Sequence, residues 1–167
     1  MIWPCESITD MAASRARIRA RRYGVIETVG GQLAAIHLRP WPKLVSLPEF
    51  VPLESRYHAS GAADRCLLYY NQPWRMPNFL ALKYIVSTAG TSYATSRAAL
   101  KVLDAIAELK RTDAIVCDAA NVRLSDRLMA RFGWEPHKPQ RWHRNFIRRF
   151  YGSYPQPPLD QLSRQRC

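Results

Sequence analysis

Two different hydrophobic periods alternate along the middle of the chain. Short apolar runs over 79–87 and 113–118 are bounded by polar turns and predict strands. The segment between them repeats apolar residues every three or four positions, which predicts an amphipathic helix over 94–110. The repeated positions are Ala99, Val102, Leu103, Ile106 and Leu109. A strand, a helix and a second strand in this order predict parallel strands joined by a right-handed crossover.

A second helix and a final strand are predicted beyond this unit. Ser125 is a suitable N-cap for a helix over 126–132, and Gly133 is a suitable residue to end it in a left-handed conformation. The last apolar run, 144–151, predicts a strand with basic flanks. The second half of the chain is therefore predicted to form a β–α–β–α–β unit.

The first half of the chain has the pattern of antiparallel hairpins. Apolar segments over 23–29 and 32–38 flank Gly30-Gly31, which is typical of a tight hairpin turn. A further strand over 65–70 is expected to pair with the apolar run at 79 as a second hairpin, and the proline-rich stretch 39–56 predicts an irregular loop or edge segment. The predicted fold class is α/β in its α+β form, a single domain with a mixed, twisted sheet.

Length and composition set the expected domain boundaries. The chain has 167 residues, of which 47% are apolar, enough for one domain with its own core. Basic residues alternate within 1–22, which fits neither a helix face nor a core strand and predicts a basic arm or a mobile tail. The domain is then expected over 23–154 and a loose tail over 155–167. No apolar run is long enough to cross a membrane and no signal peptide is recognisable, so a cytoplasmic location without membrane contact is expected.

Charge widens the list of candidate partners. The net charge is +12, with 25 Lys and Arg against 13 Asp and Glu. Such a surface attracts nucleic acids, nucleotide cofactors or acidic lipids, or it serves solubility alone. Arginine also alternates with Trp, Phe and Tyr over 136–151, which suits nucleic-acid binding by stacking. The structural alternative is a last strand in which Phe146, Ile147 and Phe150 face the core while the arginines face water.

Few motifs of known chemistry are present. The four cysteines and four histidines lack zinc-ligand spacing, so no metal site is predicted, and no nucleophile elbow or phosphate-binding glycine loop occurs. His37 and Asp118 are candidate bases for deprotonating an amine. Each has a structural alternative: His37 as a hydrogen-bonded strand residue and Asp118 as the cap of the turn that follows it. The turn at 88–92 leads into a helix N-terminus, where backbone N–H groups can hold an anion.

The order of elements and the segment from Asn121 to Trp134, in which an Asn precedes a helix that closes with Gly and an aromatic, resemble the GNAT superfamily of acyl-CoA-dependent N-acyltransferases. The resemblance implies transfer of an acetyl or related acyl group from acyl-CoA to an amine, by direct attack, with acyl-CoA lying between two parallel strands. It assigns the donor contacts as follows. The strand residues that pair with pantetheine are Ile85, Val86 and Ser87, the turn and helix residues around the pyrophosphate are Gly90, Thr91, Ser92, Thr95, Ser96 and Arg97, and Asn121 would bind pantetheine.

The chain departs from the pattern of that family at two places. Its turn has one glycine, Gly90, where the family has more, and Met129 stands where the family has a general-acid tyrosine. A thioether cannot donate a proton. An inactive module that keeps the fold and a nucleic-acid-binding protein are therefore alternatives to an active acyltransferase.

Overall fold

The computed structural model describes residues 6–42, 64–118, 126–137 and 144–155. They form one mixed sheet of eight strands in the order β1-β3-β2-β4-β5-β6-β8-β7. The strands are β1 (Glu6–Ile8), β2 (Tyr23–Val29), β3 (Gln32–Arg39), β4 (Arg65–Asn71), β5 (Phe79–Ser87), β6 (Ala114–Asp118), β7 (Glu135–Pro136) and β8 (Asn145–Arg149). The helices are α1 (Arg15–Ala20), α2 (Tyr93–Lys110) and α3 (Asp126–Arg131). This mixed α+β architecture confirms the predicted fold class.

Both predicted hairpins are present. β2 pairs antiparallel with β3 through a turn at Gly30 and Gly31, whose φ angles of +57° and +80° favour glycine. β4 pairs antiparallel with β5, and β2 also pairs with β4, so the two hairpins join into one sheet.

The predicted crossover is also confirmed. β5 and β6 are parallel, with Phe79 opposite Ala114 and Leu82 opposite Cys117, and α2 connects them. Ser92 caps α2 by accepting a hydrogen bond from the N–H of Thr95, and Arg111 ends the helix in the left-handed conformation. The apolar positions of α2 that the sequence pattern selects are buried against the sheet, except for the half-buried Leu109.

The end of α3 also follows the sequence pattern. Gly133 has a φ of +79°, and the N–H of Trp134 donates back to the carbonyl of Met129. Trp134 is buried and closes the core beneath this turn. The proposed cap of α3, Ser125, lies outside the described residues, as do 43–63 and most of the predicted tail.

The N-terminal segment differs from its prediction. Arg15–Ala20 is helical, although its alternating arginines fit no helix face, because Ile18 alone reaches the core and is fully buried. The Nζ of Lys110, at the end of α2, donates to the carbonyls of Arg19 and Arg21. Residues 6–22 are therefore attached to the domain by a strand, a buried side chain and these hydrogen bonds, whereas the domain boundaries as such stay predictions.

The last strand carries a buried ion pair. Phe146, Ile147 and Phe150 are buried, as the structural alternative for 136–151 predicts, so these rings are not offered for stacking. Arg148 does not face water, because its Nη2 lies 2.8 Å from Oδ2 of Asp104 in the middle of α2, and the two side chains are 15% and 6% exposed. Arg148 also donates to the carbonyl of Phe132, so it connects β8 to α2 and to the end of α3.

Candidate active site

The sheet opens between its two parallel strands. The pairing of β5 with β6 ends at Leu82 and Cys117, but β5 continues to Ser87 while β6 ends at Asp118. Residues 83–87 therefore have no partner in β6. Alternate backbone N–H and C=O groups on that edge of β5 face the opening, where a ligand can bind them.

A β-bulge lies where the strands part. Tyr69 in β4 is opposite Tyr84, but the next residue, Tyr70, is opposite Leu82, so Lys83 is an extra residue in β5. A bulge bends its strand and increases the local twist. The bend starts one residue after the last β5–β6 pair, and this position explains why the two strands diverge there.

An apolar cavity of about 270 Å³ lies in this opening. Its walls come from β4, β5, β6, the first two turns of α2 and the helix α3. The lining residues are Cys66, Leu68, Leu82, Ile85, Ser87, Thr91, Tyr93, Ser96, Leu100, Cys117, Leu128, Met129 and Phe132. Apart from two thiols and the hydroxyls of Ser87, Thr91, Tyr93 and Ser96, these side chains are hydrocarbon or thioether. Such a lining suits a narrow, mostly apolar ligand with few polar groups.

Two cysteine thiols of the lining are strongly desolvated. Burial raises the pKa of Cys117 to about 12 and that of Cys66 to about 11, with nearby carboxylates, Asp118 and Asp64 respectively, adding to the effect. Both thiols therefore stay protonated near neutral pH. Since the thiolate is the nucleophile, neither cysteine is prepared for attack on a substrate.

An aromatic pair closes one side of the cavity. The rings of Tyr93, in the first turn of α2, and Phe132, just after α3, are stacked with centroids 5.1 Å apart and an interplanar angle of 12°. The guanidinium of Arg131 lies 5.5 Å from the Tyr93 centroid. The pair connects the two helices that flank the opening between the strands.

The N-terminus of α2 already holds an anion supplied by the chain itself. The carboxylate of Asp64 accepts the backbone N–H of Ser92 at 2.7 Å through Oδ1 and the Ser92 hydroxyl at 2.9 Å through Oδ2. The backbone hydrogen bond from Ser92, with a further contribution from the Thr95 hydroxyl, lowers the pKa of Asp64 below its usual value. A carboxylate of the protein therefore occupies the position at which an anion is predicted, and binding of a phosphate there stays a prediction.

The hydroxyl groups that the resemblance assigns to a pyrophosphate are mostly engaged within the protein. Thr95 is fully buried, and its Oγ1 accepts the N–H of Gly31 at 2.7 Å. Thr91 Oγ1 donates to the carbonyl of Arg65 at 2.7 Å. These hydrogen bonds join the turn before α2 to the neighbouring hairpins, so the hydroxyls stabilise the fold.

The predicted donor-binding residues therefore separate into groups. Four of them line the cavity, namely Ile85, Ser87, Thr91 and Ser96. Ser92 and Thr95 lie beside it in the helix cap, while Val86, Gly90 and Arg97 are not part of its lining. Asn121 lies outside the described residues. No contact with a donor is tested by this arrangement, so the assignments stay predictions.

The two candidate bases lie apart from one another. His37 is in β3, where its Nδ1 is 2.8 Å from Ser7 Oγ and its Nε2 is 2.9 Å from Glu27 Oε2. Glu27 in turn pairs with Arg65, at 2.8 Å. This network matches the structural alternative for His37, which does not line the cavity. Asp118 is exposed at the end of β6, next to the cavity residue Cys117.

Sequence reasoning missed Asp64, Cys66, Tyr93 and Phe132. Asp64 precedes Ser92 by 28 residues, and only the pairing of β4 with β5 brings the two together. Tyr93 and Phe132 carried a weak signal, because each is an aromatic residue at the end of a predicted helix. Across 6–42, 64–118, 126–137 and 144–155, no three His, Cys, Asp or Glu side chains cluster as metal ligands would.

Comparisons with known proteins add a likeness of backbone only. No protein-family model and no curated protein sequence matches the chain. Among solved structures, nourseothricin acetyltransferase superposes with a TM-score of 0.43 and 9% identity, over 86% of this chain and 97% of that one. So loose a superposition, with so few shared residues, does not define an activity for this chain. Within the described residues, no helix has both the length and the apolar character needed to cross a bilayer.

Proposed function

We propose that this protein is an acyltransferase that takes an acetyl or related acyl group from acyl-CoA and passes it to an amine. The observation that carries this proposal is the opening between β5 and β6. Two parallel strands part after Leu82, and an apolar cavity of about 270 Å³ lies there beside the start of α2.

The opening suits the pantetheine arm of such a donor. Pantetheine is a thin chain in which amide groups alternate with short hydrocarbon segments. The free edge of β5 over 83–87 offers N–H and C=O groups for the amides, while Leu82, Leu128 and Met129 offer apolar contacts for the hydrocarbon. Backbone groups of β5 can bind amides whatever the side chains are. Donor binding at this strand therefore does not depend on the family's sequence motif.

The phosphate groups of the donor need positive charge at the edge of the cavity. Arg97 and Arg131 are exposed, and each is the chain neighbour of a lining residue, Ser96 and Phe132 respectively. Their guanidinium groups suit phosphate oxygens. A phosphate that uses the N–H of Ser92 must first displace the carboxylate of Asp64.

The chemistry that these residues support is direct attack. Bound acyl-CoA supplies an activated thioester. A neutral amine forms the new C–N bond as the C–S bond breaks, and the nitrogen then loses one proton to solvent or to a base. Cys66 and Cys117 keep their protons at neutral pH, so an acyl-cysteine intermediate is disfavoured. Met129 lies in the wall of the cavity and cannot protonate the leaving thiolate, so that proton must come from solvent or from another group.

The test combines donor binding with turnover. Melting temperature is measured with CoA, acetyl-CoA, ATP and heparin, and release of the CoA thiol is measured with a panel of amines. Ser96→Phe fills the cavity, whereas Lys101→Phe places the same ring on an exposed position of the same helix. We expect CoA species to raise the melting temperature well beyond ATP, since a ligand at about a hundredfold excess over Kd adds about 2.7 kcal/mol to stability.

The two variants decide the location of the site. Ser96→Phe should abolish the CoA-specific shift and thiol release, and Lys101→Phe should preserve both. Equal shifts with all four polyanions, or a CoA shift that survives in Ser96→Phe, would refute the proposed donor site. A CoA-specific shift without thiol release for any amine would leave the donor site and contradict the proposed transfer.

A further inference from the structure

Three exposed apolar side chains lie in connections that leave the sheet at the end opposite the cavity. Trp74 is 72% exposed, Trp41 63% and Met76 51%. Trp74 and Met76 lie in the connection from β4 to β5, and Trp41 follows the end of β3. Tyr23 in β2 is opposite both Arg39 in β3 and Asn71 in β4. The ends of β3 and β4 therefore lie on either side of β2, at the same end of the sheet. An exposed group of large side chains of this kind marks an interaction surface.

Trp74 is held in its exposed position. Its Nε1 donates to the Tyr23 hydroxyl at 2.9 Å, and the guanidinium of Arg22 lies 3.9 Å from the ring centroid. The loop is fixed as well, since the N–H of Gln72 donates to the carbonyl of Arg22 and its side chain donates to the carbonyl of Pro77. A fixed ring loses little entropy when a partner binds. Because its N–H is used and Arg22 covers one face, Trp74 offers its other face to a partner.

Positive charge lies beside Trp74. Arg19, Arg21 and Arg75 are exposed at this end of the molecule, beside the half-buried Arg22. The pKa of Lys110 reflects this charge. Burial is the main cause that lowers it to about 8, and the nearby Arg22 and Arg19 lower it further. Three acidic groups of the described residues lie at this end. Asp113 and Glu108 lie towards β6, where both act on Tyr154, and Glu6, whose backbone is opposite Leu38, pairs with Arg17.

We propose that this surface, formed by Trp41, Trp74 and Met76 with Arg21, Arg22 and Arg75, binds single-stranded nucleic acid. Unpaired bases stack on the exposed indoles, and the arginines neutralise the phosphates on either side. A duplex keeps its bases stacked inside and offers no base face to an indole. An acidic peptide would meet the arginines but would leave the aromatic rings without planar partners.

The test uses the full chain and a labelled oligothymidylate, with binding followed by fluorescence anisotropy at several salt concentrations. Trp74→Ala should weaken binding by about fivefold or more, since stacking on one aromatic ring contributes about 1–3 kcal/mol per base, and Trp74→Phe should retain most of the affinity. Arg75→Gln should lower the slope of log K against log salt by about 0.7. Arg127→Gln, which removes an exposed arginine of α3 at the other end of the molecule, should leave this slope unchanged.

The competing partners are included as probes. Oligouridylate RNA, whose base differs from thymine by one methyl group, tests whether the surface binds RNA as well as DNA. Polyglutamate or a DNA duplex that binds as tightly as the single strand would overturn the proposal, as would unchanged binding by both Trp74→Ala and Arg75→Gln. Melting temperatures of all variants show that they are folded. The assay contains no acyl donor, so its outcome is independent of the proposed acyl transfer.

Discussion

The two ends of α2 present opposite kinds of surface. At the first turn the molecule is concave and apolar, and its polar groups bind one another: Asp64 with Ser92, and Thr95 with Gly31. Beyond the last turn the molecule is cationic, and its large side chains, Trp74 among them, point outward. One helix thus links an apolar cavity to a surface with both charge and aromatic rings.

Desolvation acts at both ends, with opposite results. Burial raises the pKa of Cys117 at the cavity and lowers the pKa of Lys110 at the other end. In each case the neutral form of the group is favoured. The cavity therefore excludes charge, whereas the far end holds the half-buried Lys110 through hydrogen bonds to Arg19, Arg21 and Gln72.

The largest effect should come from breaking the ion pair that fixes the middle of α2. Arg148→Ala removes the guanidinium that lies 2.8 Å from the buried carboxylate of Asp104, and removing one member of a buried ion pair costs about 3–5 kcal/mol. Because the pair lies between the two ends, both the cavity and the far surface should loosen. Urea unfolding monitored by circular dichroism measures the loss.

A double variant serves as the control for this prediction. Arg148→Met combined with Asp104→Leu removes both charges and keeps apolar volume, so most of the stability should return. If Arg148→Ala proves as stable as the unaltered protein, the pair does not hold the helix and the two ends are coupled in some other way.

A pH series should separate the two ends by the sign of their effect. The folded-state pKa of Cys117 is raised, from 9.0 to about 12. Its contribution to folding stability is therefore complete below pH 9.0 and is lost as pH rises towards 12. The folded-state pKa of Lys110 is lowered, from 10.5 to about 8, so the unfolded chain binds more protons between these values and stability rises with pH.

The measurement compares two variants with the unaltered protein. From pH 8 to pH 10, ionisation of the unfolded cysteine should reduce the stability advantage over Cys117→Ala by about 1.4 kcal/mol. Over the same range, stability relative to Lys110→Met should increase. Parallel curves for the unaltered protein and Cys117→Ala would mean that the cavity is wet.

The smallest effect should come from Asp64, at the mouth of the cavity. Its folded-state pKa is lowered, so its contribution to stability is present above pH 3.8 and is lost as pH falls through the folded value. The difference in unfolding free energy between Asp64→Asn and the unaltered protein should therefore become smaller in acid. It should also strengthen binding of tripolyphosphate, because the N–H of Ser92 is no longer held by a charge. Unchanged tripolyphosphate binding would place the anion site elsewhere.

Local patterns were sufficient to predict most of the fold. The spacing of Val102, Leu103 and Ile106 shows which face of α2 is buried, and Gly30-Gly31 marks the turn of a hairpin, because both signals lie within a few residues. Helix α1 was missed because a single buried residue, Ile18, stabilises it through tertiary contact.

The candidate site was less predictable because it depends on distant pairs. Ser92 and Thr95 were correctly placed at a helix start, but the directions of their hydroxyls depend on Asp64 and Gly31, which join them through the sheet. Arg148 looked like a solvent-facing strand residue until its partner 44 positions earlier, Asp104, was brought beside it. No sequence window of ordinary length contains both members of such a pair.

The extra residue at Lys83 makes the length of β5 a property under constraint. With the bulge, Leu82 and Ile85 both face the cavity although they are three positions apart, an odd spacing that a regular strand would place on opposite faces. Removing one residue there would turn Ile85 and Ser87 out of the cavity while every amino-acid type in the wall stayed the same. The number of residues in β5 therefore decides which side chains line the cavity, as much as their chemistry does. A relative that lacks one residue in this strand would have a different site.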